Sequence, residues 1–320
     1  MSKYISEANF QDICDYYFSP DNILFGTKPK ILTNDIINTL KDNTIIYLCL
    51  NNLKQFVRSI LPIINIKFIL LSGISDFIVP YLKEPERYLE VENLLNSDKL
   101  IHWFGLNVYI PHPKISVIPI GIPRSLPFII YAEECQFMAW QNDDFAKDMV
   151  LSTLERLNNN RNILSIMKLK KDTPKLIYIN YTTINSKDSS IGKNINFRQK
   201  LDQYLINNSS LKIKKENQLC EWFRHLEIVQ EYKFVLEPFG RCMDGYRVWE
   251  SLIVGTIPVV FDSPIRELYE DLPVLIINSF EQLNEDYLNE QYEKIISRDD
   301  YKFEKLEMKY WSDLILKYKN

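Results

Sequence analysis

Apolar runs of strand length alternate with amphipathic stretches along the chain, a pattern typical of βα units. In the first half, residues 44–50 and 67–72 are continuous apolar runs, and each predicts a strand buried on both faces of a parallel sheet. The residues between them carry apolar side chains at helical spacing, so they predict a helix. Residues 100–104 and 115–120 predict two further strands.

The second half contains another unit of strand, loop, helix and strand. Residues 234–236 and 257–261 are apolar and rich in β-branched side chains, as expected for buried parallel strands. Residues 248–254 have apolar side chains at helical spacing, and Gly255 follows where a helix end favours a positive φ angle. Residues 176–181 predict a further strand that precedes this unit.

The alternation of strands and helices predicts an α/β protein with two Rossmann-like parallel-sheet domains. The length of 320 residues suits two domains of ordinary size. The best linker candidate begins at Asp172, which gives an N-terminal domain of residues 1–171 and a C-terminal domain of residues 172–300. Residues 301–320 predict an amphipathic helix that is able to cross back to the N-terminal domain.

Polar residues follow the strand at 234–236, in the loop or the first turns of the next helix. They are Glu237, Arg241, Asp244, Tyr246, Arg247 and Glu250. The carboxyl edge of an open parallel sheet is where ligands bind. A helix start there offers free N–H groups to a phosphate, and arginine adds a bidentate fork. Because Glu250 follows Arg247 by one helical turn, the pair suits an anion attached to a hydroxyl-bearing sugar.

The same stretch resembles the signature of exostosin-type glycosyltransferases, over about forty of the 320 residues. In that family a Pro-x-Gly loop precedes a small residue followed by aromatic-Arg, and Glu-Ala-Leu then leads to a Pro-Val strand. The matching residues here are Pro238-x-Gly240-Arg241, Gly245-Tyr246-Arg247, Glu250-Ser251-Leu252 and Pro258-Val259. The family usually has Ser where this chain has Gly245, so we expect one hydroxyl contact to phosphate to be lost.

The resemblance implies a GT-B fold, in which two Rossmann-like domains face a cleft. It also implies a nucleotide-sugar donor, most often a UDP-sugar, with inversion at the anomeric carbon and a glycan or other hydroxyl acceptor bound mainly by the first domain. By the same resemblance, Arg247 would contact the diphosphate and Glu250 the ribose hydroxyls. The predicted donor site comprises Gly240, Arg241, Asp244, Gly245, Tyr246, Arg247 and Glu250.

Each of these assignments has a simpler alternative. Arg247 and Glu250 are spaced as an ordinary surface ion pair, and an acid in a first helical turn can act only as a partner of the helix dipole. Asp244 is placed to cap the helix with its side chain. A divalent metal is not required by this scheme, because the positive helix end and arginine can neutralise the diphosphate.

Sugar transfer also needs a base that takes the proton of the acceptor hydroxyl. Asp76 is the preferred candidate because it comes just after a predicted strand end, although it could instead cap the next helix. Glu237 directly follows a buried strand and could act in catalysis or bind sugar hydroxyls. His102 lies in an apolar strand, which favours a core histidine, and His112 lies between two prolines.

The composition excludes several other classes of function. The formal net charge is −4 and no long Lys or Arg run occurs, which disfavours a nucleic-acid partner. The 5 cysteines are scattered without the spacing of a metal site, and their odd number favours reduced thiols. No signal-peptide core or transmembrane-length apolar run occurs, so we expect a soluble, cytoplasmic protein.

Two alternatives to a UDP-sugar transferase stay open at the level of sequence. A GDP-sugar would suit the same fold, and a non-catalytic nucleotide- or glycan-binding protein would suit the same cleft. Turnover of a donor would separate an enzyme from a binding protein. The sugar, the acceptor, the linkage and the oligomeric state are not encoded in any recognisable motif.

Overall fold

The computed structural model describes residues 4–18, 30–73, 79, 85–123, 155–156, 162–181, 194–208, 222–240 and 242–319. The chain divides into two compact units. Unit 1 comprises Met1–Ile120 together with Glu304–Asn320, and unit 2 comprises Gly121–Phe303. Each unit contains one parallel sheet, which confirms the predicted α/β class with two parallel-sheet domains.

The sheet of unit 1 has five parallel strands in chain order. They are β1 (Tyr16–Phe18), β2 (Thr44–Cys49), β3 (Phe68–Gly73), β4 (Leu100–Gly105) and β5 (Ile115–Val117). All residues of β2 and β3 are buried. Because successive side chains of a strand point to opposite faces, both faces of this sheet are covered, as the continuous apolar runs predicted.

Short helices surround the sheet of unit 1. They are α1 (Glu7–Asp12), α2 (Asn34–Ile37), α3 (Leu53–Gln55), which continues as a π-helical turn (Phe56–Ile60), and α4 (Pro85–Leu95). Phe56, Phe68 and Trp103 are fully buried in the core between these elements and the sheet. The helix predicted between β2 and β3 is confirmed, with Asn52 as the N-cap of α3.

The chain returns to unit 1 at its C-terminal end through a 3₁₀ turn (Phe303–Leu306) and the last helix, α10 (Met308–Leu316). The backbone N–H of Ile5 donates to the carbonyl of Leu306 over 3.1 Å. The ammonium of Lys319 contacts both carboxylate oxygens of Asp15, at 2.9 and 2.8 Å. Residues near both ends of the described chain therefore contact each other within unit 1.

The sheet of unit 2 has four parallel strands, again in chain order. They are β6 (Ile177–Ile179), β7 (Phe234–Glu237), β8 (Ile257–Phe261) and β9 (Leu275–Ile277). The helices with described bounds in this unit are α5 (Ile163–Leu169), α6 (Asn194–Asn207), α7 (Trp222–Gln230), α8 (Tyr246–Ile253) and α9 (Glu285–Ser297), with 3₁₀ turns at Arg266–Leu268 and Phe280–Gln282. The strand, helix and strand predicted around residues 234–261 are confirmed.

The division between the units falls after Ile120, in place of the sequence-based boundary between residues 171 and 172. Helix α5 belongs to unit 2 because its C-terminal end packs there. The hydroxyl of Tyr292 donates to the Met167 carbonyl, and the Lys170 ammonium donates to the Gly255 carbonyl over 2.6 Å. Such tertiary contacts join residues that are far apart in the sequence, so the local sequence pattern does not predict them.

Gly255 ends α8 with a φ angle of +74°, as predicted. A Cβ atom at this position would lie 2.6 Å from Cγ2 of Ile166 on α5. Glycine is therefore required twice here, for the left-handed backbone and for the close approach of α5.

The helices of the described ranges include none that is both long and apolar enough to cross a membrane.

Candidate functional site

The candidate site lies at the carboxyl end of β7, a central strand of the unit 2 sheet. Strand β7 ends at Glu237, and α8 begins after the N-cap residue Gly245, whose backbone is extended. Helix α8 buries Val248, Trp249 and Leu252, so its first turn is held at the edge of the sheet. Its N-terminus presents the positive end of the helix dipole at this edge.

Arg247 forms an ion pair with Glu237 across this edge. The guanidinium Nη1 lies 2.9 Å from Oε2 of Glu237, and the two side chains are 30% and 10% exposed. Burial opposes the charge of Arg247, but the surrounding groups together, with the Glu237 carboxylate foremost among them, raise the pKa of the guanidinium. The pair is partly buried and joins strand to helix, so it differs from the exposed Arg247–Glu250 surface pair that sequence spacing allowed.

Gly245 makes room for the Glu237 carboxylate. A Cβ atom on Gly245 would lie 2.6 Å from Oε1 of Glu237, so a side chain here would force the carboxylate to move. The absence of a side chain at the N-cap thus allows a carboxylate to approach the start of α8. Tyr246, the next residue, is 38% exposed.

Glu250 is buried behind Arg247, with 4% of its surface exposed. The indole Nε1 of Trp222, the first residue of α7, donates to its Oε1 over 2.5 Å. Burial raises the pKa of Glu250 to about 7, against the opposing effects of the Trp222 hydrogen bond and of Arg247. The carboxyl group therefore exchanges its proton near neutral pH.

Asp244 supports the loop before α8 from inside the core. Both of its carboxylate oxygens accept from the indole Nε1 of Trp249 at 3.0 Å, and Oδ1 also accepts from the Tyr269 hydroxyl at 2.6 Å. The N-cap residue of α8 is Gly245, and no side-chain hydrogen bond caps the helix there. The predicted capping role of Asp244 is therefore wrong. The carboxylate of Asp244 points into the core because it accepts hydrogen bonds from the buried Trp249 and Tyr269.

Arg198 of α6 is a second buried arginine at this edge, and sequence reasoning missed it. Its Nε donates to the Phe239 carbonyl over 2.8 Å and its Nη2 to the Pro238 carbonyl over 3.1 Å. A Cβ atom on Gly240 would lie 3.1 Å from Nη2, so the glycine lets the guanidinium lie against the loop. In the sequence, Arg198 looks like any charged residue on an exposed helix face.

His225 of α7 borders the same group of charges. Burial first, and then the charge of Arg247, lower the pKa of His225 to about 4, so the imidazole is neutral at physiological pH. Its ring lies 5.7 Å from that of Tyr178, whose hydroxyl accepts from Nδ2 of Asn180 at 2.8 Å. A neutral imidazole beside an arginine leaves the positive charge available to an anion.

Other predicted residues lie apart from this group or outside the description. Asp76 and Arg241 are outside the described residues. His102 is a buried core residue of unit 1: its Nε2 lies 2.9 Å from Oγ of Ser116 and its ring 4.3 Å from that of Tyr318. Nδ1 of His112 accepts from the backbone N–H of Lys114 at 3.1 Å.

No group of three or more His, Cys, Asp or Glu side chains placed to hold a metal ion occurs within the ranges that the structure covers. Among those residues, the charges at the end of β7 come from arginine and glutamate. Within the described part of this edge, the positive groups suited to a diphosphate include two guanidinium groups and a helix N-terminus.

A search against protein-family models finds no match, and a search of curated proteins finds none either. Several solved structures are similar in fold. A UDP-forming α,α-trehalose-phosphate synthase from Burkholderia xenovorans has 11% identity and a TM-score of 0.44, covering 88% of this chain and 75% of its own. The corresponding values for α,α-trehalose 6-phosphate synthase from Burkholderia multivorans are 10%, 0.45, 89% and 73%. For an E. coli structure described as trehalose-6-phosphate bound with UDP-2-fluoro glucose, they are 11%, 0.43, 89% and 72%.

Proposed function

We propose that the chain is a glycosyltransferase of the GT-B type that transfers a sugar from a nucleotide-sugar donor to a hydroxyl acceptor. One observation carries the proposal: Arg247, Arg198 and the buried Glu250 are gathered at the carboxyl end of β7, beside the start of α8. This is the edge at which parallel α/β sheets bind nucleotides. The exostosin-like sequence pattern supports the same reading.

The two arginines would stabilise the nucleoside diphosphate as it leaves the sugar. Negative charge grows on the diphosphate in the transition state, and positive groups already fixed in place stabilise it without reorganising. Arg247 and the N-terminus of α8 would face the phosphates directly. Arg198 would act through the Pro238 and Phe239 carbonyls, which it holds, and through its own positive charge.

Glu250 would accept hydrogen bonds from the ribose hydroxyls. Trp222 holds one of its carboxylate oxygens and thereby fixes the side chain. A site built to accept from hydroxyls rejects ligands that lack them by a large factor. We therefore expect ribonucleotides to bind better than their 2′-deoxy analogues. A UDP-sugar is the preferred donor by the resemblance, with a GDP-sugar as the other choice.

The acceptor hydroxyl would lose its proton to a carboxylate. Asp76 and Glu237 are the two candidates, and the carboxylate of Glu237 already contacts Arg247. Asp76→Asn tests the first candidate directly. If Asp76 is the base, this variant binds the donor normally and loses transfer, whereas normal transfer by the variant would exclude Asp76.

A thermal-shift screen tests the donor assignment. UDP, GDP, CMP and a panel of their sugars are added with and without Mn²⁺. A ligand at a hundred times its dissociation constant adds about 2.7 kcal/mol to stability. We expect one family of nucleoside diphosphates to raise the melting temperature without Mn²⁺. No response to any of them would contradict the proposal.

Product analysis then separates an enzyme from a binding protein. With the stabilising nucleotide-sugar and candidate glycan acceptors, we expect release of the nucleoside diphosphate together with a new glycosidic bond. The anomeric configuration of the product, read by NMR, decides between inversion and retention. Binding without turnover across the panel would favour the non-catalytic alternative.

A further inference from the structure

One carboxylate offsets part of the positive charge beside the start of α8 in the free protein. Arg247 and Arg198 are positive, while the Glu237 carboxylate lies 2.9 Å from Arg247 and also interacts electrostatically with Arg198. A nucleoside diphosphate brings at least two negative charges to this place. Like charges repel strongly in a partly buried site, so the Glu237 carboxylate opposes the ligand that the arginines attract.

Glu237 also lies at the point where a phosphate would be expected. Its Oε2 contacts the guanidinium of Arg247, and its Oε1 approaches Gly245 so closely that a Cβ atom there would be 2.6 Å away. A guanidinium fork and a helix N-terminus are the two features that recognise phosphate. One carboxylate of the chain contacts the guanidinium and lies close to the N-cap residue Gly245.

The side chain of Glu237 is 10% exposed, so little space remains around it. A phosphate that takes the place of this carboxylate against Nη1 of Arg247 has to move it aside. Glu237 also holds the guanidinium of Arg247 in place in the free protein, so ligand binding loses less side-chain entropy of Arg247. The pair therefore prepares the arginine and competes with the ligand.

We propose that Glu237 is an internal counter-ion of the diphosphate site: it holds Arg247 in the free protein and is displaced when the donor diphosphate binds. The inference rests on the proposed function and adds a competitor that sets donor affinity. It predicts that a substitution that removes the charge of Glu237 strengthens binding of the diphosphate. If Glu237 only positioned Arg247, removal of its charge would weaken binding.

The test is calorimetric titration of Glu237→Gln with uridine, UMP and UDP, or with the guanosine series if the thermal screen selects it. Glutamine keeps the shape of the side chain and removes its charge. We expect UDP to bind about tenfold more tightly to the variant than to the unchanged protein. The affinity for UMP should increase less and that for uridine should not change, because Coulomb repulsion grows with ligand charge. Glu231→Gln is the matched control, an exposed glutamate of unit 2 paired with Lys175.

Unchanged or weaker UDP binding by Glu237→Gln, with the unchanged protein still binding UDP, would overturn the inference alone. An equal gain for uridine and UDP would also overturn it, because a charge effect cannot act on the neutral nucleoside. If no variant and no unchanged protein bound any nucleotide, the proposed function itself would fail. Glu237→Ala provides a second charge-free variant. Loss of the fold in both would overturn the inference, because a carboxylate that the fold requires cannot be a displaceable counter-ion.

Discussion

Glu250 is a carboxyl group whose ionisation is shifted by its surroundings. Burial raises its pKa to about 7 from its ordinary 4.5, even though Trp222 and Arg247 favour the charged form. The folded state therefore holds this proton more tightly than the unfolded chain does. The tighter binding of this proton adds fully to the free energy of unfolding below a pH of about 4.5, and this addition is lost as the pH rises through about 7.

Glu250→Gln should remove this pH dependence. Between pH 5 and pH 8, the unchanged protein should lose up to about 3 kcal/mol of unfolding free energy relative to the variant. Urea denaturation at both pH values measures the difference, and the comparison cancels contributions from other groups such as His225. A parallel pH dependence of the two proteins would contradict the assignment.

Arg198 should not be replaceable by lysine. Its Nε and Nη2 hold two successive carbonyls, and a single ammonium cannot reproduce that fork. Arg198→Lys should cost about 1–3 kcal/mol of stability and weaken binding of the donor nucleotide. Denaturation and calorimetry measure the two effects. Arg224→Lys, at an exposed position of α7, should change neither.

The sequence predicts some residues of the site and not others, for a physical reason. Arg247, Glu250 and Glu237 follow a buried strand within one short stretch, so local pattern suffices to bring them to one sheet edge. Arg198 and Trp222 arrive from α6 and α7, and only the folded chain sets them against the loop and against Glu250. The inward turn of Asp244 likewise depends on Tyr269, which is distant in sequence.

At the scale of elements, the turn from α8 into β8 depends on Gly255. Gly255→Ala would strain a backbone with a φ angle of +74° and place Cβ 2.6 Å from Ile166. We expect a loss of about 1–3 kcal/mol from strain and overpacking. Urea denaturation measures this loss. A neutral Gly255→Ala would contradict this account of the turn.

Strands β2, β3 and β8 were predictable because each is a continuous apolar run that is buried on both faces of its sheet. Residues 257–261 form β8 with the predicted bounds. The last helix was predicted from residue 301, but α10 begins at Met308 because a 3₁₀ turn at Phe303–Leu306 precedes it. Hydrophobic spacing does not distinguish the two helix types over so few residues.

For the whole molecule, the return of the C-terminal residues to unit 1 has consequences for stability. Trp311 of α10 is 4% exposed, and its Nε1 donates to the Lys305 carbonyl over 2.9 Å. Trp311→Ala should destabilise unit 1 by about 3–5 kcal/mol. Denaturation measures this loss, and nucleotide affinity measured below the melting temperature should stay unchanged. Trp311→Phe, which keeps most of the packing, should cost less.

The extent of the two units was less predictable than their number. The existence of two α/β units follows from two series of apolar runs. Helix α5 is part of unit 2 because Tyr292 and Lys170 make contacts within that unit. Local composition does not reveal these contacts. The predicted boundary between residues 171 and 172 therefore differs from the division after Ile120.

Calorimetric titration of Arg247→Ala tests the central claim most directly. The ligand is the nucleoside diphosphate that stabilises the unchanged protein, and Arg224→Ala is the control, because Arg224 is an exposed arginine of unit 2. The account predicts at least about a hundredfold loss of affinity for Arg247→Ala with the far-UV circular dichroism retained, since charge-assisted bonds to phosphate are lost. Unchanged affinity for every nucleotide would contradict it.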